Sequence, residues 1–242
     1  AYLDIAGVIA AAGDAGCDAV HPGYGFLSEN ASFATACAEA GLVFVGPTPE
    51  QLGLFGDKAR ARAHAGKNGA PVLSGTDGAV DVAGVKAFFA KHRKAGIVIK
   101  AIAGGGGRGM RIVTQESEIE EAFARASAEA QAAFGNGALY AERLIARARH
   151  IEVQIVGDGQ GGIASLGERE CTIQRRSQKI VELAPSPNLA EAMRDQIVES
   201  AVTMAKAVNY RSLGTFEFLV DDAAPDFFCF IEANPRLQVE HT

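Results

Sequence analysis

The 242-residue sequence predicts an α/β protein that carries a separate α+β unit in its middle. Three observations predict it. Residues 17–45 read as strand, helix, strand. Residues 71–145 restart with their own alternation of helices and short apolar strands. Two apolar strands, 214–220 and 227–231, close the chain, each with a single carboxylate, Glu217 and Glu232. With 48% hydrophobic residues the chain can bury a sizeable core. A net charge of −6 argues against a nucleic-acid surface, because phosphate binding shows as a basic excess. The four cysteines lack CxxC spacing, which points to neither a zinc site nor a disulfide framework and fits a reducing compartment. No apolar run approaches membrane-spanning length and no leader pattern opens the chain, so no membrane partner is expected.

Residues 2–15 place Ile5, Val8, Ile9 and Ala12 on one helical face. A brief strand over 17–20 leads into the glycine-rich loop 21–30, followed by a helix over 31–40, a strand over 42–45 and a turn at Gly46-Pro47. That order implies parallel pairing, as in half of a doubly wound domain. His21 reads foremost as the residue that holds the loop, with direct catalysis the less favoured alternative. Thr48 before Pro49 starts a helix, and another covers 57–67 with Lys58 at its beginning.

The middle unit is expected as a helix over 81–94, strands over 97–100 and 108–113, a helix over 118–134 with Ser117 and Glu120 as its capping box, and a strand over 138–144. Gly75 and Gly78 at its edge read as hinges, so the unit could move as a lid. Lys100 ends a strand shortly before four glycines, Gly104, Gly105, Gly106 and Gly107. Such a run exposes N–H groups without Cβ clashes, and the strand-borne lysine favours phosphate binding over a plain linker. It is neither a Walker loop, lacking GK[ST], nor a dinucleotide fingerprint, since a strand follows. Glu142, with the backbone of Arg143, Leu144 and Ile145, suits adenine and ribose recognition; an ordinary surface acid is an equal alternative.

A strand over 150–156 puts His150, Glu152 and Gln154 on one face. After a hairpin turn at 157–159, residues 168–179 read as a charge-dense loop. Asn188 with Glu191 caps a helix running to 208, and 221–226 reads as a long surface turn. In the closing strands a buried charge needs a partner. Glu217 and Glu232 with the oxygen of Asn234 make an all-oxygen set suited to Mg²⁺ or Mn²⁺. Arg236, Gln238 and Glu240 follow at alternate positions, so an extended segment would point them to one face beside that metal. The alternative is that the two glutamates simply pair with Arg211 and Arg236.

HPGYGFLSEN (21–30), GGGGRGM (104–110), QRRSQK (174–179) and EANPRLQVEH (232–241), in this order and near these spacings, resemble the biotin carboxylase component of the biotin-dependent carboxylases, an ATP-grasp enzyme. The resemblance implies an ATP-grasp fold in three parts. Residues 1–56 would be the C-terminal part of a partial Rossmann-like pre-ATP-grasp domain, 57–145 a lid with its lead-in helix, and 146–242 the first part of the main nucleotide and metal domain. It implies a ligase that carboxylates carrier-bound biotin from ATP and bicarbonate through carboxyphosphate. By the same resemblance Lys58, Lys100, His150, Gln174 and the Gly106-Gly107 backbone would contact the nucleotide. Lys179, Arg236, Gln238 and the Val239 N–H would grip bicarbonate, with Glu240 as general base. Biotin would arrive on a separate carboxyl carrier domain, since no Ala-Met-Lys-Met motif occurs. A carboxyltransferase domain or subunit would take the product, and relatives form homo-oligomers. The location implied is the cytoplasm, or the mitochondrial matrix in a eukaryote.

Ser177 departs from the family, which usually has His close to ATP there; a hydroxyl remains but reach and charge are lost, so nucleotide affinity or activity is in question. The helical opening, the absence of an initiator Met and the close on the densest motif predict a fragment, inactive in isolation. Two other functions stay open: another ATP-grasp ligase of the carbamoyl-phosphate synthetase type, which shares a Glu-x-Asn-x-Arg ending, and a non-catalytic nucleotide-binding or assembly module.

Overall fold

The computed structural model describes residues 2–103, 108–175 and 178–240. At the N-terminal end, α1 (Ile5–Asp14) and α2 (Ala31–Glu39) start on side-chain caps, Asp4 accepting from the Gly7 N–H and Asn30 from the Phe33 N–H. Strands β1 (Ala19–Val20) and β2 (Val43–Phe44) pair in parallel, as strand, helix, strand requires. Ile5, Val8, Ile9 and Ala12 of α1 pack against a core of Leu27, Phe33, Cys37 and Leu52. His21 holds its loop: its Nδ1 accepts from the Gly23 N–H at 3.0 Å, where Gly23 takes the left-handed conformation (φ +70°) that a glycine adopts freely.

Helix α3 (Pro49–Phe55) begins on the expected Thr48, whose capping box is closed by Gln51. Gln51 is buried and does more: its Nε2 donates to the carbonyls of Val208 and Asn209, both at 3.0 Å, tying the N-terminal layer to the far end of the chain. α4 (Lys58–Lys67) follows on the cap of Asp57.

The middle unit is a three-stranded antiparallel sheet, β4 (Met110–Val113), β3 (Ile97–Ala101), β5 (Leu139–Arg143) in that order, backed by α5 (Val82–His92) and α6 (Ile119–Phe134). Val85, Phe89, Ile97, Ile99 and Leu139 fill its core. One expectation is corrected. The capping box lies two residues earlier than Ser117 and Glu120: Gln115 and Glu118 form it at a 3₁₀ turn over Glu116–Glu118, and Glu118 accepts from the Thr114 and Gln115 N–H groups, both at 3.1 Å. Gly75 sits where the chain enters the middle unit. Its neighbours zip onto β5, Arg143 N–H to Ser74 and Thr76 N–H to Ala141, and a Cβ at 75 would meet the Ala141 carbonyl at 3.2 Å.

The C-terminal half is a five-stranded antiparallel sheet in the order β10 (Ala224–Asn234), β9 (Arg211–Asp221), β6 (Ala148–Asp158), β7 (Ile163–Arg175), β8 (Gln178–Leu183), covered on one face by α7 (Glu191–Lys206). The expected charged loop over 168–179 is instead strand wherever it is described. Its charges did not betray a loop because they are paired inside: Glu168 with Arg194 and Arg169 with Glu152, each at 2.8 Å. Asn188 does not cap α7; it adopts φ +55°, and the capping position falls on Ala190, which has no side-chain acceptor. The turn between β9 and β10 is also short, only Asp222 and Ala223, because β10 begins at Ala224 opposite Asp221.

Strand alternation sorts the sheet into two faces. Ile151, Val153, Ile155, Phe216, Phe218 and Phe230 point to α7, where Met193, Ile197, Ala201 and Met204 meet them, and Phe55, Ala61 and Ala65 from α3 and α4 complete this largest core. Gly157 lets Tyr210 in: a Cβ there would lie 1.9 Å from the Tyr210 carbonyl oxygen. His150, Glu152, Gln154 and Glu217 occupy the other face. Among the described residues no helix is long and apolar enough to cross a membrane.

Candidate active site: a cleft of interlocked acids and cations

The polar face of the large sheet, the three-stranded sheet of the middle unit and the start of α4 enclose a cleft of about 680 Å³. Glu217 stands at its floor because strand alternation turns it away from the α7 core. It accepts from His150 Nε2 at 2.6 Å and from Asn234 Nδ2 at 2.5 Å, and Lys179 Nζ lies 3.4 Å away. Glu232 sits directly opposite Glu217 across the β9–β10 ladder, after a register shift that turns both Ile231 and Glu232 toward the cleft. Its ion partner is Lys58 at 3.5 Å. The glutamates therefore do not pair with the arginines: Arg211 donates to the Gly46 carbonyl, and Arg236 to Glu29 at 2.7 Å.

Behind this floor lies Glu152, fully buried, bound by Arg169 Nε at 2.8 Å and by Lys179. Arg169 also donates to Gln154 and, at 3.0 Å, to Gln238, so one buried guanidinium joins β6, β7 and the segment after β10. Lys179 reaches Glu240 at 3.7 Å. On the side of the middle unit Lys100 is held by Glu142 at 2.5 Å, and Arg62 of α4 binds the same carboxylate.

These neighbours set the protonation states. Burial works against charge on His150, but the hydrogen bond and charge of Glu217 overcome it and lift its pKa above 6.5. Burial likewise opposes charge on Glu217, yet His150 and Lys179 hold it well below 4.5. Lys179 is raised, the Glu217 and Glu152 charges outweighing its desolvation, and Lys100 is raised by Glu142 in the same way. Burial pushes the Tyr140 hydroxyl up to about 12. Gln174 Nε2 lies 2.7 Å from His150 Nδ1, so the imidazole is held between the Gln174 amide and the Glu217 carboxylate.

Twelve of the residues singled out from sequence line the cleft: Lys58, Lys100, His150, Gln174, Lys179, Glu217, Glu232, Asn234, Arg236, Gln238, Val239 and Glu240. Glu142 stands behind Lys100, only 2% exposed. Arg143, Leu144 and Ile145 are not among the lining residues; the Arg143 guanidinium stacks over Phe227 at 5.1 Å, and the Arg143 and Leu144 N–H groups bond Ser74 and Gly96. Gly106, Gly107 and Ser177 lie outside the described residues. Sequence reasoning gave no role to Arg62, Arg169, Glu182 and Glu29. Arg62 looks like any helix-surface arginine, Arg169 sat in what read as a charge-dense loop over 168–179, Glu182 follows that stretch outside any motif, and Glu29 was visible only as a letter of its motif. The donor set at the floor fits a hard divalent cation, with Glu217 and Glu232 facing one another and the Asn234 side chain in contact with Glu217. The described residues also gather His150, Glu152 and Glu217 with ligand atoms within 4.8 Å of one another, so Glu217 is common to both groupings.

Residues 57–242 match the family profile described as carbamoyl-phosphate synthase L chain, ATP binding domain, and residues 1–52 match biotin carboxylase, N-terminal domain. The chain is 54% identical over its whole length to pyruvate carboxylase of Bacillus subtilis and 51% identical to mitochondrial pyruvate carboxylase of Mus musculus. It spans only 21% and 20% of those two proteins. Among solved structures, the biotin carboxylase–β,γ-ATP complex from Campylobacter jejuni superposes with a TM-score of 0.93 at 47% identity, covering 99% of this chain and 53% of that one. The biotin carboxylase domain dimer of Hydrogenobacter thermophilus 2-oxoglutarate carboxylase, in complex with MgADP, ADP and bicarbonate, gives 0.92 at 43% identity, covering 99% and 52%. The carbamoyl-phosphate synthase reading is disfavoured by the N-terminal match and by pyruvate carboxylases that align with every part of the chain. Both profiles, met in order, and a biotin carboxylase that superposes on nearly all of it lead to one conclusion: the chain belongs to the biotin carboxylase family, whose ATP-grasp nucleotide domain is shared with the carbamoyl-phosphate synthase L chain.

Proposed function

We propose that this chain performs the biotin carboxylase half-reaction, the ATP- and bicarbonate-dependent carboxylation of carrier-bound biotin. The observation that carries the reading is the meeting, in one cleft, of Lys179, Arg236 and Gln238 with the carboxylate of Glu240, which lies 3.7 Å from Lys179, and with the acids Glu217 and Glu232 and the amide of Asn234. The three parts would be residues 1–56, 57–145 and 146–242, with α4 as the lead-in to the lid.

In this reading ATP lies between lid and large sheet. Lys58, Lys100 and the Gly106-Gly107 backbone hold its phosphates, and Glu142 with the Arg143 to Ile145 backbone holds adenine and ribose. Among the described residues the Ile145 N–H has no protein acceptor, which suits it to a base edge. His150, Gln174 and Ser177 complete the nucleotide contacts. Mg²⁺ or Mn²⁺, held by Glu217, Glu232 and Asn234, would neutralise charge on the phosphate oxygens.

Bicarbonate is gripped by Lys179, Arg236, Gln238 and the Val239 N–H. Glu240 takes its proton, and the freed oxygen attacks the γ-phosphorus as the bond to ADP breaks, giving carboxyphosphate. Carboxyphosphate splits to CO2 and phosphate; phosphate accepts the proton of biotin N1′, and N1′ attacks CO2 while Arg236 steadies the charge on the ureido group. Biotin comes on a carboxyl carrier domain, and a carboxyltransferase domain or subunit uses the product. A homo-oligomer in the cytoplasm or mitochondrial matrix is the setting that the relatives support.

The test is ATP hydrolysis by the full-length protein, with and without bicarbonate and free biotin, in wild type, Glu240→Gln and Ser177→His. Hydrolysis that requires bicarbonate, rises with biotin and collapses in Glu240→Gln is expected. ATP binding without bicarbonate-dependent turnover in wild type would make the chain a non-catalytic nucleotide module.

A further inference from the structure

Among the described residues, Arg236 is the one cleft cation whose carboxylate partner comes from the N-terminal layer. Glu29 lies 207 positions earlier and belongs to the glycine-rich loop, yet its Oε1 accepts from Arg236 Nε at 2.7 Å. The loop is a rigid platform at that point. Ser28 is 3% exposed and donates its N–H to Gly25, and the next residue, Asn30, donates its own to Leu27 while its side chain caps α2 at Phe33. Glu29 is thus clamped between a tight turn and a helix start, so its carboxylate is presented from a fixed backbone.

On the other side, Arg236 follows β10 on a segment that is no longer strand, and its backbone N–H makes a local bond to the Asn234 carbonyl at 2.9 Å. Glu217 and Glu232 line the same cleft as Arg236, so the floor offers carboxylates to a long side chain carried on such a segment. Glu29 fixes the Nε edge of the guanidinium, and the Leu237 carbonyl takes Nη1 at 3.2 Å. Two anchored edges fix the plane of a guanidinium, because its donors form a rigid fork. Among the described residues Nη2 has no hydrogen bond, and Arg236 lines the cleft.

We propose that Glu29 is a positioning residue for Arg236, holding its guanidinium away from the acids of the metal floor and oriented to receive the bicarbonate anion. The inference rests on the biotin carboxylase reading above, and it gives the HPGYGFLSEN loop a function beyond its own fold: the N-terminal layer sets the geometry of the anion site. Glu29 touches no substrate; it acts through Arg236.

The experiment is steady-state bicarbonate-dependent ATP cleavage in the full-length protein for wild type, Glu29→Gln, Glu29→Asp, Arg236→Ala and the double variant Glu29→Gln/Arg236→Ala. Glu29→Gln should raise KM for bicarbonate roughly tenfold, the scale of a misplaced binding group, while KM for MgATP stays within about twofold. Glu29→Asp, which keeps the charge, should recover part of the loss. In the Arg236→Ala background, Glu29→Gln should add nothing further. An unchanged bicarbonate KM in Glu29→Gln, an equal rise in KM for MgATP, or a full additional loss without Arg236 would overturn the positioning role while leaving the function reading intact. Absence of bicarbonate-dependent cleavage in wild type would overturn the function reading and this inference with it.

Discussion

Glu152→Gln isolates the electrostatic linchpin of the cleft. Glu152 has no exposed surface and binds two cations, Arg169 on one oxygen and Lys179 on the other. The amide keeps the shape but removes the charge. Hydrogen bonds to charged groups contribute roughly 1.5–3 kcal/mol against about 0.5–1.5 kcal/mol for neutral ones, so two weakened bonds amount to about 2–3 kcal/mol. Relief of the carboxylate's own desolvation offsets part of this, as does the contact of Lys179 with Glu217, which leaves a net loss of about 2 kcal/mol. For a chain of this size that is a drop in Tm of roughly 4–8 °C. Thermal unfolding of wild type and variant followed by circular dichroism, without nucleotide or metal, measures it. A Tm equal to or above wild type would mean that burying the carboxylate costs more than its two cations return, and the account of Glu152 as the organiser of Lys179 would fail.

Two further outcomes are expected. Gly157→Ala would drive a Cβ to 1.9 Å from the Tyr210 carbonyl, and the backbone of a core strand must move; a loss of about 3 kcal/mol or more in chemical denaturation is expected, and a neutral result would refute the packing described. The His150–Glu217 pair gives the ligand-free protein a definite pH response. His150 stands above 6.5, so its contribution is complete below 6.5 and is lost as pH rises through its folded pKa; Glu217 stands below 4.5, so its contribution is present above 4.5 and is lost as pH falls. Denaturation of wild type should therefore show a decline on the alkaline side of 6.5 that is flattened in His150→Gln. An undiminished alkaline decline in the variant would assign the effect to another group.

The reach of the sequence follows the kind of signal each element carries. Helix starts at Asp57, Asp81 and Thr48 were readable because capping is local chemistry. The parallel β1–β2 pair was readable because the connection between them is a helix. Glu217 and Glu232 announced themselves as acids in apolar strands, and the structure sets them opposite each other. The strands over 168–183 were hidden for the same physical reason that the site works: their charges are neutralised by partners such as Arg194 and Glu152, distant in sequence, and composition records the charge but not the partner. Arg62 and Glu29 were hidden likewise, since each matters only through a contact across 80 or 207 positions.

That cross-pairing also orders the events at the cleft. Lys100, Lys179 and Arg236 each keep a carboxylate outside the predicted metal set, Glu142, Glu152 and Glu29, so each can meet an incoming anion without surrendering its structural partner. Lys58 is different. Its partner is Glu232, one of the metal-floor acids, at 3.5 Å and with 27% and 35% of the two side chains exposed, a pair worth at most about 1 kcal/mol. On the proposed reading, a cation taken up by Glu232 would release Lys58 for phosphate at little cost, whereas no ligand need break the buried pairs. The floor would then couple metal and phosphate binding through a weak contact, while the buried contacts keep the remaining cations aimed.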